Sequence, residues 1–293
     1  MAAGAGIVGG VSVAESYRRC LTLARSHYEN FSVATRFLPR ELVPAMGAVY
    51  AFCRTVDDLG DEARGDRLAL LDEWERDLLR CYSGNPEHEY LPALQDTIRR
   101  FTIPPEPFLK LVQANRMDQV NQRYPTYSDL LHYCEHSANP VGHLILYVFG
   151  YGDAERQFLS DHTCTALQLA NFWQDVKRDY AMGRVYLPLG DMQRFGCTEQ
   201  TIADGVATPQ FRDLMAFEVE RARGLFQKGL PLVGAVSGTL RLDLALFTGG
   251  GLSVLDAIER QGYDVLRKRP EVTRGRKLGL LFKTLAQAKL GRL

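Results

Sequence analysis

The stretch "ALQLANFWQDVKRDYAMGRVYLP", residues 166–188, begins as an apolar run and then sets Asn171, Asp175 and Asp179 along it at intervals of four. At 3.6 residues per turn, that interval keeps all three on one side of a helix. A second stretch, "YAFCRTVDDLGDEA" at 50–63, places Asp57 and Asp61 four apart, with Asp58 and Glu62 repeating the interval one residue on. Such a pair stands about 6 Å apart along a helix axis, and like charges at this spacing destabilise an isolated helix. Solvated carboxylates on a helix exterior are common, but both pairs here emerge from apolar segments, "AVYAFCRTV" and "ALQLANFWQ". Buried carboxylates must neutralise or hold a cation. Two clusters of one spacing, 118 positions apart, can face one another across a helical bundle and together hold divalent ions.

Hard oxygen ligands without a nearby His or Cys favour Mg²⁺, which keeps several waters and binds substrate phosphate. The constellation therefore suggests carboxylate–Mg²⁺–diphosphate chemistry. Arg54, one turn before Asp57, and Arg184, beyond the second cluster, are the first choices to add positive charge to a leaving diphosphate. Lys177 and Arg178 read equally well as solvated. Phe31, Tyr50, Phe52, Phe172, Trp173 and Tyr186 could line an apolar cavity and stabilise a carbocation, although aromatics at helical spacing more often pack a core.

The rest of the chain agrees with a helical reading. Apolar periodicity predicts helices over 11–28, 40–63, 66–82, 87–101, 105–120, 126–150, 153–180, 208–228, 235–266 and 274–291. "SGNPE", "IPPEP", "RYPTYSD" and "GYGD" mark breaks between them. No convincing alternating strand, repeat or low-complexity linker appears, so one all-α domain over 13–293 is expected, preceded by a flexible tail over 1–12. Pro140 lies inside the run 126–150 and should kink or break it.

Six scattered cysteines form no C-x-x-C pair, so neither a zinc site nor a disulfide framework is indicated and a reducing cytoplasm is expected. No signal peptide or membrane span is evident. The net charge is zero, but residues 267–293 hold nine Lys/Arg against one Glu. That segment carries Leu278, Leu281, Phe282 and Leu285 at helical spacing: a docked terminal helix, or a basic amphipathic one resting peripherally on the inner face of a membrane. No aromatic interleaving or reader motif points to nucleic acid.

"CRTVDDLGDE", "LQLANFWQDVKRDYAMGRVYLP" and the N-terminal "SHYENFSVATRFLPRELVPAMGAVYAFCR" together resemble the squalene/phytoene synthase family over about residues 15–290. The resemblance implies an isoprenoid synthase-type α-helical bundle with a central cavity for long prenyl chains. It implies that Asp57, Asp61, Asp175 and Asp179 bind several magnesium ions and that Arg54 and Arg184 contact diphosphate. It also places Gln168, Asn171 and Tyr186 by the substrate near the second motif, and Phe31 and Ser32 among N-terminal substrate contacts. Where squalene-type and phytoene-type members usually carry N-x-x-R-D, this chain has "NFWQD", with Gln174 at the Arg position. That variant, with "SANPVG" and "NFSVAT", looks like the subgroup of bacterial hopanoid pathways that acts as hydroxysqualene synthase. The implied substrate is presqualene diphosphate, with water ending the reaction and no NADPH expected. An upstream presqualene diphosphate synthase and a downstream reductase are the implied partner enzymes. Gln174 is then a candidate to influence water placement. The rivals are head-to-head condensation of prenyl diphosphates to presqualene, squalene or phytoene products, and a non-catalytic helical assembly protein, which would have no reason to keep four carboxylates on apolar helices.

Overall fold

Two aspartate-bearing helices, one in each of two compact units, organise the computed structural model, which describes residues 7–8, 11–27 and 38–290. The first unit comprises Met1–Val120 and Pro140–Asp153, and the second Asn121–Asn139 and Ala154–Leu293.

In the first unit, β1 (Ile7–Val8) and β2 (Val11–Ser12) pair antiparallel ahead of α1 (Val13–His27). Paired strands replace the expected tail at those four residues, and the first helix starts two residues later than its periodicity suggests. There follow α2 (Val43–Asp61), α3 (Arg67–Ser83), α4 (Leu91–Phe101), α5 (Glu106–Val120) and α7 (Asn139–Val148), the last contributing all but its first residue. Local chemistry sets the starts: Pro44 and Pro92 lie in the first turns of α2 and α4, where a missing N–H costs nothing. Asp66 caps α3 by accepting from the Ala69 amide at 3.1 Å. The apolar face of α2 is buried, with Phe52 stacked on Trp74 (5.5 Å between centroids) and meeting Phe108 edge-on (4.9 Å).

The second unit is built on α8 (Ala154–Ala181), against which α6 (Tyr127–Ser137), α11 (Pro209–Gly229) and α13 (Gly238–Arg260) pack. Trp173, Phe211 and Phe226 are fully buried there. The short helices α9 (Leu189–Arg194), α10 (Glu199–Ala203) and α12 (Pro231–Ala235) fill connections, and α14 (Arg274–Lys289) lies against α13. None of the three short helices is long enough for a periodicity to show, and the expected run 235–266 starts instead at Gly238 and ends at Arg260.

Pro140 divides the run 126–150 as its chemistry requires. The helix stops at Ser137 and restarts at Asn139, so the proline ring falls in a first turn. Thr165 Oγ1 donates to Asn139 Oδ1 at 2.9 Å, tying the break to α8. All six cysteines are free. No helix among the described residues is long and apolar enough to cross a membrane.

Candidate active site

The first aspartate pair closes the C-terminal end of α2. Burial of Ala48, Val49, Ala51, Phe52 and Val56 fixes the rotation of this helix and leaves Asp57 and Asp61 on the accessible side. Water reaches Asp57, yet protein surrounds it closely enough that burial lifts its carboxyl to about 6. A hydrogen bond from Asn115 and the charge of Arg54 work against that rise, while the charge of Asp61 adds to it. Asn115 Nδ2, on α5, donates to Asp57 Oδ1 at 3.2 Å and to its own helix's Leu111 carbonyl at 3.2 Å. This contact requires Gly60: a Cβ there would collide with the Asn115 side chain. Gln119 Nε2, one turn further along α5, donates to the Gly60 carbonyl at 3.0 Å.

Arg54 binds Asp58 and, at 2.9 Å, Glu62. The second acidic pair of the motif thus shares one arginine and holds it beside the first. Arg54 Nε is buried with no hydrogen-bond partner.

The second pair stands on α8, whose Ala166, Leu169, Ala170, Phe172, Trp173 and Val176 are buried. Arg269 forks onto Asp175, with Nε 2.5 Å from Oδ1 and Nη2 2.9 Å from Oδ2. The same Nη2 donates to Gln174 Oε1 at 2.9 Å, and Gln174 Nε2 donates to the Pro270 carbonyl at 2.6 Å. Gln174 is therefore buried and bound to the 269–270 segment. Asp179 is pushed up to about 7, by burial first and the Asp175 charge second, with Arg184, Arg178 and Arg269 pulling it down.

Arg184 reaches this neighbourhood through the helix end. Gly183, at φ +82°, follows the last turn of α8; the Gly183 amide donates to the Tyr180 carbonyl (2.9 Å) and the Arg184 amide to the Asp179 carbonyl (2.8 Å). These are the paired bonds of a Schellman turn, whose left-handed residue favours glycine. The chain then bridges Arg123 through Val185, which seats Tyr186 flat on Phe172 (3.7 Å, 8° between planes) and beside Tyr124 (5.7 Å). Phe172, Tyr186 and Asp179 line one recess. Gln168 is half-buried and Asn171 exposed on α8. Phe31 and Ser32 lie outside the described residues.

Chemically, each pair is a set of hard oxygen donors, and that donor set fits a divalent cation such as Mg²⁺. Asn115 and Arg269 escaped the sequence reading. Asn115 is a polar residue among the buried positions of α5, a signal that was available. Arg269 sits in the basic tract "RKRP", where it looked like one solvated cation among nine. The clue to it was Gln174, which leaves Asp175 without an adjacent arginine.

Comparison with known proteins identifies the family. The family model described as squalene/phytoene synthase matches residues 24–276. The 15-cis-phytoene synthase of Synechococcus elongatus is 32% identical over 281 residues, covering 91% of each chain. The crystal structure of squalene synthase HpnC from Alicyclobacillus acidocaldarius superposes with a TM-score of 0.84 at 49% identity, covering 86% of this chain and 95% of that one. A dehydrosqualene synthase crystallised with a ligand gives 0.85 at 27% identity, covering 95% and 98%.

Proposed function

The chain belongs to the squalene/phytoene synthase family, with its isoprenoid synthase-type helical fold, and from that premise we propose that it converts presqualene diphosphate and water to hydroxysqualene and inorganic diphosphate. The family acts on prenyl diphosphates. The observation that supports a diphosphate-ionising reaction is that two D-x-x-x-D pairs stand at solvent-reached positions of α2 and α8, with Arg54 acting on the first and Arg184 and Arg269 on the second. The choice of reaction rests on "NFWQD" with Gln174, and the higher identity to the squalene synthase HpnC than to the phytoene synthase favours a squalene-type over a phytoene-type enzyme.

Asp57 and Asp61, and Asp175 and Asp179, would hold Mg²⁺, which when bound supplies Lewis-acid stabilisation of the leaving diphosphate. Arg54 and Arg184 would bind diphosphate oxygens. Arg269 would keep Asp175 in one orientation, and Asn115 would do the same for Asp57. Heterolysis of the C–O bond leaves the electron pair on diphosphate and a cyclopropylcarbinyl cation. After rearrangement, one water adds and loses its proton, giving the alcohol. No NADPH is required.

The test is incubation of the purified protein with Mg²⁺ and presqualene diphosphate, without NADPH, followed by mass spectrometry of the lipid extract. Hydroxysqualene is the expected product. The match to a 15-cis-phytoene synthase favours a second reading, head-to-head condensation. Consumption of farnesyl or geranylgeranyl diphosphate alone, with no product from presqualene diphosphate, would establish that one instead.

A water-insoluble product also bears on α14. Leu281 and Leu285 are half-buried and Thr284 buried, whereas Leu278 and Phe282, expected on the same docked stripe, stand exposed. Their exposure, together with Arg274, Arg276, Lys277 and Lys283 on the same helix, supports peripheral contact with an anionic lipid surface. Co-sedimentation with phosphatidylglycerol vesicles that weakens in F282S checks this, and equal sedimentation of F282S rejects it.

A further inference from the structure

Among the described residues, one group of three His, Cys or carboxylate side chains brings its ligand atoms within 4.8 Å of one another: His132, Glu135 and His136, on α6. We propose that they form a binding site for a single divalent transition ion of the zinc class, separate from the aspartate pairs and independent of the reaction assigned above.

Positions i, i+3 and i+4 share one side of a helix, so the group is assembled by a single turn of α6. That helix is anchored at its start by a capping box, in which Thr126 and Asp129 satisfy each other's backbone amides. The ring nitrogens are arranged for coordination. His136 Nδ1 lies 2.9 Å from the His132 carbonyl, and a carbonyl only accepts. Nδ1 therefore carries the proton of the neutral ring, and Nε2 keeps its lone pair for a metal. A backbone carbonyl holding the far nitrogen is the usual support of a metal-bound histidine.

His132 Nδ1 lies 3.4 Å from Glu135 Oε2. That is long for a charge-assisted hydrogen bond, but two ligands each about 2.1 Å from a tetrahedral zinc ion are separated by roughly 3.4 Å. The His132 and His136 rings meet edge to face at 4.6 Å. All three side chains reach solvent, leaving a fourth position for water. Two imidazoles and one carboxylate suit Zn²⁺, Ni²⁺ or Co²⁺, whereas the all-oxygen aspartate pairs suit Mg²⁺, so the two kinds of site select different ions. Cys134, between the ligands in sequence, is buried and takes no part.

The position has a structural consequence. Tyr133, on the same turn, is buried against Phe172 (6.3 Å) and Tyr186 (6.0 Å). An ion bridging residues 132 and 136 would brace the helix behind that aromatic stack.

The test uses the full chain without an affinity tag, stripped with chelator and saturated with Mg²⁺ to occupy the oxygen sites. Titration with Co²⁺ should produce a visible absorption band that saturates at one equivalent, disappears on adding Zn²⁺, and is accompanied by a rise in Tm with Zn²⁺. The H132Q/H136Q variant, its helicity checked by circular dichroism, should lose the band, and E135Q should bind at least tenfold more weakly. D175N/D179N should keep the band unchanged, which separates this site from the aspartate pairs whatever their reaction proves to be. Failure of Co²⁺ to bind below millimolar concentration, or a band that survives in H132Q/H136Q, would overturn the proposal.

Discussion

The two aspartate pairs share one spacing and opposite means of support. On α2, Asp57 is steadied by a neutral amide, Asn115, while the nearest arginine is divided between Asp58 and Glu62. On α8, Asp175 is gripped by both arms of a guanidinium that arrives from 94 residues away. A carboxylate supported by an amide keeps its full charge for an incoming cation. One supported by arginine is pre-oriented but already partly neutralised. The D-x-x-x-D pattern thus specifies where the oxygens stand and leaves their electrostatics to other elements.

Removing a charge altogether should have the largest effect. D57N and D175N are each expected to lower turnover by orders of magnitude with circular dichroism unchanged, and normal turnover in either folded variant would remove that pair from the metal site. Next comes the support itself. R269A should reduce turnover roughly 10–100-fold, the usual range for losing an outer partner of a metal ligand. R269K should recover little of it, because a lysine cannot make the forked contact. Asn115 has no charge to lose, so N115A should cost less than R269A; the reverse order would refute the contrast between the two pairs.

Gly60 sharpens the comparison through stability. G60A should lower stability by about 1–3 kcal/mol through overpacking against Asn115, measured by urea unfolding, and N115A in the same chain should restore most of the loss. A further check is the pH dependence of the metal-free protein. Asp57 at about 6 and Asp179 at about 7 both lie above the ordinary 3.8. Between pH ~4 and ~7 the folded chain therefore keeps protons that the unfolded chain has released, and stability falls as pH rises, levelling off above that window. D179N should flatten the upper part of this slope, and an unchanged slope would contradict the burial assigned to Asp179.

Much of this was legible in the sequence, for identifiable reasons. Helices α2, α5, α8 and α11 have long apolar periodicities, and both aspartate pairs are local patterns within one helix. Pro140 broke its helix because its ring and missing N–H act locally. What escaped depends on contacts distant in sequence. Arg269 is recognisable only once the chain has returned to Gln174, and Asn115 only once Gly60 lets α5 approach α2. The stripe of α14 was half right: periodicity locates an apolar side but not how far the helix rolls, and Leu278 and Phe282 rolled outward.

The most direct test is calorimetric titration of magnesium pyrophosphate into the wild-type protein and into D57N/D61N and D175N/D179N. The account predicts measurable binding to the wild type and a severe loss in both double variants, since each pair is assigned to the same metal–diphosphate chemistry. Wild-type affinity in either folded double variant would contradict that assignment.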